Sequence, residues 1–152
     1  MRIRPFQQDD LASIASLLAV LASEFIVADC MPETAAAFLK EQDSAAIAAH
    51  IAAGMVYHVA VAEHGIAGFI GVRNRSHIYH MFVARPFQRR GVARALWQAA
   101  RQASGHAGVF TVNASNYAVP VYEAMGFVRT MPMQSRNGIA FNPMQTEGGA
   151  GA

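Results

Sequence analysis

The chain has little of several things. Of its twelve basic residues only Lys40 is a lysine, which removes the Gly-Lys-Ser/Thr loop of the P-loop nucleotide binders. Its one cysteine, Cys30, cannot close an internal disulfide or build a structural zinc site, and no metal is expected. Charged, glycine and histidine residues break every apolar run before it reaches the ~18 residues of a membrane span, so no membrane partner is expected. Nothing after Met1-Arg2-Ile3-Arg4 has the apolar core and cleavage site of a secretory leader, and the expected location is the cytoplasm. Internal repeats and low-complexity linkers are also missing, which leaves one domain over residues 1–144 and a loose tail over 145–152. There is no second basic strip and no set of interleaved aromatics, so nucleic acid is not an expected partner.

What is present is a composition that folds. Hydrophobic residues make up 53% of the 152, enough for a real core in a domain of this size. Met1 to Phe6 alternates as a strand. After Asp9-Asp10, Leu11, Ile14, Leu17, Leu18 and Leu21 recur at helical spacing. A second helical stretch follows Pro32, with Thr34 as its expected N-cap, a stripe of Phe38, Leu39, Ile47 and Ile51, an interruption near Asp43-Ser44 and an end at Gly54. Met55 to Ala62 and Ile66 to Arg73 form a hairpin through Glu63-His64-Gly65, and Asn74-Arg75-Ser76 turns into a strand from His77 to Val83. A helix over Ala93 to Ala103, a short strand over Val109 to Val112 and a helix over Tyr117 to Met125 come next. Gly126 then stands at a helix C-cap, and Phe127 to Met133 pairs with Ile139 to Met144 through Asn137-Gly138. The order is β-α-α-β-β-β-α-β-α-β-β, a mixed α/β (α+β) fold with a twisted sheet of six or seven strands flanked by helices.

Chemistry concentrates at one turn. Arg85, Arg89, Arg90, Arg94 and Arg101 gather in or beside Gln88-Arg89-Arg90-Gly91-Val92-Ala93, between a strand and a helix. A glycine there lets the backbone approach a ligand, and the unpaired N–H groups of the first helical turn offer donors to an anion. Arginine side chains add charge-assisted bonds to phosphate oxygens. An anionic ligand fits this local charge; a solvated basic helix start is the plainer alternative. The turn is not a dinucleotide fingerprint, because the paired glycines before Gly91 are missing.

Two signatures resemble the GNAT N-acetyltransferase superfamily over Met1 to about Met144. One is Gln88-x-x-Gly91-x-Ala93 after His80-Met81-Phe82-Val83-Ala84-Arg85-Pro86. The other is Asn113 to Phe127, which is similar to that family's helix ending in Tyr-x-x-x-Gly-Phe, here Tyr122 to Phe127. The resemblance implies an acetyl-CoA-dependent N-acetyltransferase with direct transfer, no covalent enzyme intermediate and no metal. It implies CoA in a splay between the strands His77 to Val83 and Val109 to Val112. Main-chain groups of Met81 and Val83, with Phe82 between them, would hold the pantetheine arm and polarise the thioester, and Gln88, Arg89, Arg90, Gly91, Val92, Ala93 and Arg94 would hold the diphosphate. An asparagine, Asn113 or Asn116, would hold the pantetheine or adenosine side; Asn116 also reads as a plain N-cap for the helix at Tyr117.

Tyr122 falls where the family keeps a tyrosine near the sulfur. A phenol of pKa ~10 can protonate a thiolate of parent pKa ~8.5 while staying neutral itself; otherwise Tyr122 packs a helix on the sheet. For the base, His77 falls where several members carry a glutamate or histidine, and His80 is second. Strict alternation puts His77, Tyr79 and Met81 on one face and Ile78, His80 and Phe82 on the other. Glu24, Glu33 and Glu63 are weaker candidates for the base, and Cys30 is a bystander. The aromatics Phe25, Phe38, Tyr57, Phe69 and Tyr79 fit either an acceptor pocket or the core. The acceptor stays open among small amines, amino acids, antibiotics and peptide N-termini, and a homodimer is compatible with the sequence. A non-catalytic acyl-CoA sensor or interaction module is the alternative, and an arginine-driven RNA binder a third.

Overall fold

A computed structural model describes residues 1–25, 32–40 and 42–146. Cys30 lies outside the described residues, as do the side chains of Phe25 and Phe38. The elements are β1 Arg2–Pro5, α1 Leu11–Phe25, α2 Pro32–Lys40, α3 Ser44–Ala52, β2 Val56–Ala62, β3 Gly65–Arg73, β4 His77–Val83, α4 Val92–Ser104, β5 Thr111–Ala114, α5 Val119–Ala124, β6 Phe127–Arg129, β7 Gln134–Arg136 and β8 Ile139–Thr146.

The mixed fold and its flanking helices are as the sequence predicts, with an eight-stranded sheet rather than one of six or seven. Its order is β1-β2-β3-β4-β5-β8-β6, with β7 paired to β8. The extra strand arises because Phe127 to Met133 does not run through: a bend at Thr130 to Pro132 separates β6 from β7. The expected second helix is likewise two. Asp43 caps α3 by accepting from the Ala46 N–H at 2.9 Å, which stops one helix and starts another. Thr34 is no N-cap but lies in the first turn of α2, because Pro32 itself begins that helix, a position where its missing N–H costs nothing.

Pairing sets the remaining boundaries. β5 forms at Thr111–Ala114, two residues later than Val109 to Val112, where the chain finds β4 on one side and β8 on the other. β8 runs to Thr146, past Met144, because Gln145 and Thr146 pair with Val128 and Phe127. α5 begins at Val119 rather than Tyr117, since Ser115 captures the turn before it: the Ala118 N–H donates to its hydroxyl at 3.2 Å and to its carbonyl at 3.0 Å.

Two apolar layers sandwich the sheet. One gathers Leu96, Trp97 and Ala100 of α4 with Ile70, Ile78, Phe110, Val112 and Phe127. Trp97 meets Phe110 and Phe127 edge-on at 4.7 and 5.2 Å. The other packs Ile14 and Leu18 of α1 and Ile47 of α3 on Tyr57, Val59 and Phe69. Fully burying one such side chain contributes about 1.5–3 kcal/mol, and each layer keeps its own face of the sheet dry.

β4 is irregular. His80 pairs with Gly71 and Ile78 with Val72, so two β4 steps oppose one β3 step and Tyr79 is the bulged residue. The bulge overturns strict alternation. Tyr79 and His80 both join the layer under α1 with Phe82, while Met81 moves to the α4 layer with Ile78.

Candidate active site

β4 and β5 run parallel but touch only at their starts, in the pairs His77↔Thr111 and Ile78↔Val112. Beyond that point they diverge, and an open cleft of about 1470 Å³ occupies the gap. The main chain of β4 faces it in a defined phase. The Ala84 N–H donates to the Ala67 carbonyl at 2.8 Å, so alternation back along the strand turns the groups of Phe82 and His80 toward β3 and those of Met81 and Val83 into the gap. The Val83 carbonyl is taken by the Gln88 side-chain amide at 2.9 Å; Gln88 in turn accepts from the Tyr117 hydroxyl at 2.8 Å. This braces the strand end against the segment between β5 and α5.

At that turn the chain winds through left-handed conformations at Arg89 (φ 63) and Gly91 (φ 80) before α4 starts. Gly91 is suited to that dihedral, and no atom lies within 4 Å of where a Cβ would project. The first helical bond at this end is Ala95 N–H to Gly91 O at 3.0 Å. Six consecutive N–H groups, Arg89 to Arg94, therefore have no acceptor among the described residues. A row of donors at a helix start, with the dipole behind it, suits an anion with several oxygens.

Of the residues singled out in the sequence, Met81, Phe82, Val83, Gln88, Arg89, Gly91, Val92, Ala93, Arg94, Asn113, Asn116, Tyr122 and His77 all line this cleft. Arg90 does not; its side chain is exposed elsewhere. The Arg94 guanidinium is committed to the Ala124 carbonyl at 2.7 Å, closing the end of α5, which leaves its backbone N–H for a ligand. Asn113 is a strand residue rather than a strand-end residue, exposed on β5 opposite Pro143. Asn116 is not the helix cap. Its side-chain oxygen accepts from the Asn142 amide at 2.9 Å.

Tyr122 is 3% exposed and edge-on to Phe127 at 5.3 Å. Burial holds its phenol above the ordinary value, so it stays protonated. Among the described residues the hydroxyl has no hydrogen-bond partner, and the sealed side-chain polar atom without one is His58 Nδ1, not the Tyr122 oxygen. The Tyr122 oxygen thus opens on the cleft.

The histidines diverge. His77 Nδ1 lies 2.8 Å from Thr111 Oγ1. Burial, and then the charge of Arg73, hold it below the ordinary imidazole value, so it is neutral at pH 7. In the tautomer that gives Nδ1–H to Thr111, Nε2 is left to accept a proton. His80 has no such freedom. It is 5% exposed, with Nε2 on the Gln42 oxygen and Nδ1 on the Tyr57 hydroxyl, each at 2.8 Å. Burial, then His50, press its pKa down to about 3, so the second base candidate is a structural group. Of the aromatics, Tyr57 and Phe69 belong to the core and Tyr79 lines the cleft. Glu33 also reaches the cleft, whereas Glu24 pairs with Arg85 at 2.6 Å and Glu63 sits at the β2–β3 turn.

Two participants belong to no sequence motif. Gln42 is 6% exposed and holds His80. Asn142 is 1% exposed: it accepts from Arg129 at 2.6 Å and donates to the Ala114 carbonyl and Asn116, so it fixes the β5–α5 loop that walls the cleft. A polar residue on the inner face of an otherwise apolar strand, Ile139 to Met144, was the available hint.

Residues 26–147 match the family described as acetyltransferase (GNAT) domain. No curated protein sequence matches the chain. Among solved structures the chain is similar to a GCN5-related N-acetyltransferase from Rhodopseudomonas palustris, with TM-score 0.79 and 24% identity over 96% of this chain and 94% of that one. It is similar to the PaiA N-acetyltransferase of Thermoplasma acidophilum in complex with coenzyme A, with TM-score 0.78 and 11% identity over 96% and 98%. An aminoglycoside 6'-N-acetyltransferase complexed with coenzyme A gives TM-score 0.63 and 11% identity over 97% of each chain. At these identities the likeness is one of fold.

Proposed function

The chain belongs to the acetyltransferase (GNAT) domain family, and from that premise we propose that it moves an acetyl group from acetyl-CoA directly to the primary amine of a small molecule or peptide. The observation that carries this reading is the run of unpartnered N–H groups from Arg89 to Arg94 at the mouth of the β4–β5 gap. A diphosphate needs several donors in a short arc, and this arc supplies them without folding long side chains. The Met81 main chain and the Val83 N–H, turned into the gap, suit the amide and carbonyl groups of a pantetheine arm.

Acetyl-CoA supplies an acyl group already activated as a thioester. His77 takes the proton that the amine sheds as the C–N bond forms, directly or through water. The Met81 N–H, turned into the gap, would donate to the acyl oxygen as it gains negative charge. Tyr122 gives its proton to the sulfur as the C–S bond breaks, and recovers one from solvent. A neutral imidazole and an un-ionised phenol are the protonation states this division of labour needs, and both follow from burial.

Thermal unfolding with CoA and acetyl-CoA, followed by thiol release against an amine panel, tests the proposal. At ligand about a hundredfold above Kd the midpoint rises by the equivalent of about 2.7 kcal/mol. No shift with either ligand overturns the reading. A shift with no thiol release against any amine would make the protein an acyl-CoA sensor instead.

A further inference from the structure

Five of the chain's eleven arginines are held by protein oxygens. Arg4 and Arg85 pair with carboxylates, and Arg75, Arg94 and Arg129 donate to oxygens of Ser104, Ala124 and Asn142. Two arginines on the cleft rest instead on aromatic faces. Arg73, at the end of β3, lies 5.2 Å over the ring of Tyr79. Arg136, at the end of β7, lies 5.4 Å over the ring of Phe141. Neither has a hydrogen-bond acceptor or a carboxylate partner among the described residues.

A guanidinium resting on an aromatic face keeps its in-plane N–H donors pointing outward, already oriented, so little freedom is lost when an anion arrives. Arg73 is also close enough to His77 to depress its basicity, which puts this cation beside the residue assigned to the amine. Against Arg73, Arg89, Arg94 and Arg136, Glu33 is the one carboxylate among the described cleft-lining residues. Such a wall repels a polycation and leaves two donor sets empty for an anion.

We infer that the acceptor is an amine that also carries a carboxylate, an amino acid or a close derivative, with Arg73 and Arg136 as the residues that select the carboxylate. This rests on the acetyl-transfer reading above and narrows its substrate. A polyamine or an aminoglycoside, rich in positive charge, is the disfavoured class. A primary amine beside a neutral amide leaves both guanidinium groups unpaired and is disfavoured for that reason.

The test measures thiol release with the whole chain and acetyl-CoA against the standard amino acids, their carboxamides, spermidine and an aminoglycoside. Isothermal titration of the same compounds into the CoA-saturated protein supplies a readout that does not need turnover. At least one amino acid is expected to bind and react with kcat/KM about a hundredfold above its carboxamide. Arg73→Gln with Arg136→Gln should raise its KM at least tenfold, bring amino acid and carboxamide close together, and leave CoA affinity within about twofold. Three results overturn the inference: binding of no amino acid, a preference for spermidine, the aminoglycoside or the carboxamides, or a loss of CoA affinity in the double variant, which would assign the arginines to the nucleotide. Failure of CoA itself to bind would instead remove the acetyl-transfer reading.

Discussion

A phenol with no partner among the described residues is unusual in so buried a place, and that makes Tyr122 separable from the fold. Tyr122→Phe removes only an oxygen that bonds to nothing among the described residues, so its stability should stay close to that of the parent. If the hydroxyl protonates the sulfur, kcat for thiol release falls about a hundredfold while CoA binding by titration is unchanged; an unchanged kcat removes the acid role. His77 gives a second residue-level prediction. Its pKa is depressed, so the acid limb of the kcat profile should lie below ~6.5, activity being lost as falling pH protonates Nε2. His77→Ala should erase that limb. These positions were legible because punctuation marks them: a glycine before an Ala/Leu-rich helix, a tyrosine ahead of Gly126. Gln42 and Asn142 were not, because each matters only through partners far away in the chain.

At the level of elements, the register of β3 on β4 decides where the cleft opens. Gly68 is in that register for lack of space: a Cβ there would sit 2.7 Å from the Phe82 carbonyl oxygen and 3.3 Å from Val83 Cα. Both are backbone, so neither can swing aside. Gly68→Ala should destabilise by about 1–3 kcal/mol in urea titration and weaken CoA, because β4 must shift to accommodate the methyl. An alanine tolerated without either effect would show that the strands have slack. Periodicity made the order of elements readable here, since helices and strands differ in which residues they must bury. It failed at β4 because alternation assumes unbroken pairing, and the extra residue at Tyr79 breaks it. It failed again at Val109, where the local apolar run was right for a strand but the partner strands were two residues away.

For the molecule as a whole, acid sensitivity follows from His80. Its folded pKa is depressed to about 3 from an ordinary ~6.5. A base held neutral in the native state contributes stability that is complete above the unfolded value and is lost as pH falls from ~6.5 toward the folded one. At pH 5 the loss from this group alone is about 2 kcal/mol. His50, His58 and His77 are depressed too and act with the same sign. Urea midpoints measured between pH 7 and pH 4.5 should fall steadily, and less steeply in His80→Gln; a flat profile in the parent would mean that His80 is not sealed. The sheet has its own weak line. Only His77–Ile78 and Thr111–Val112 tie β4 to β5, and helix α4 spans the join from below. The protein is in effect two half-sheets sewn by two stitches, with an open seam just beyond them. A ligand lying along that seam would act as suture as well as substrate, and each turnover would then unpick and remake part of the fabric.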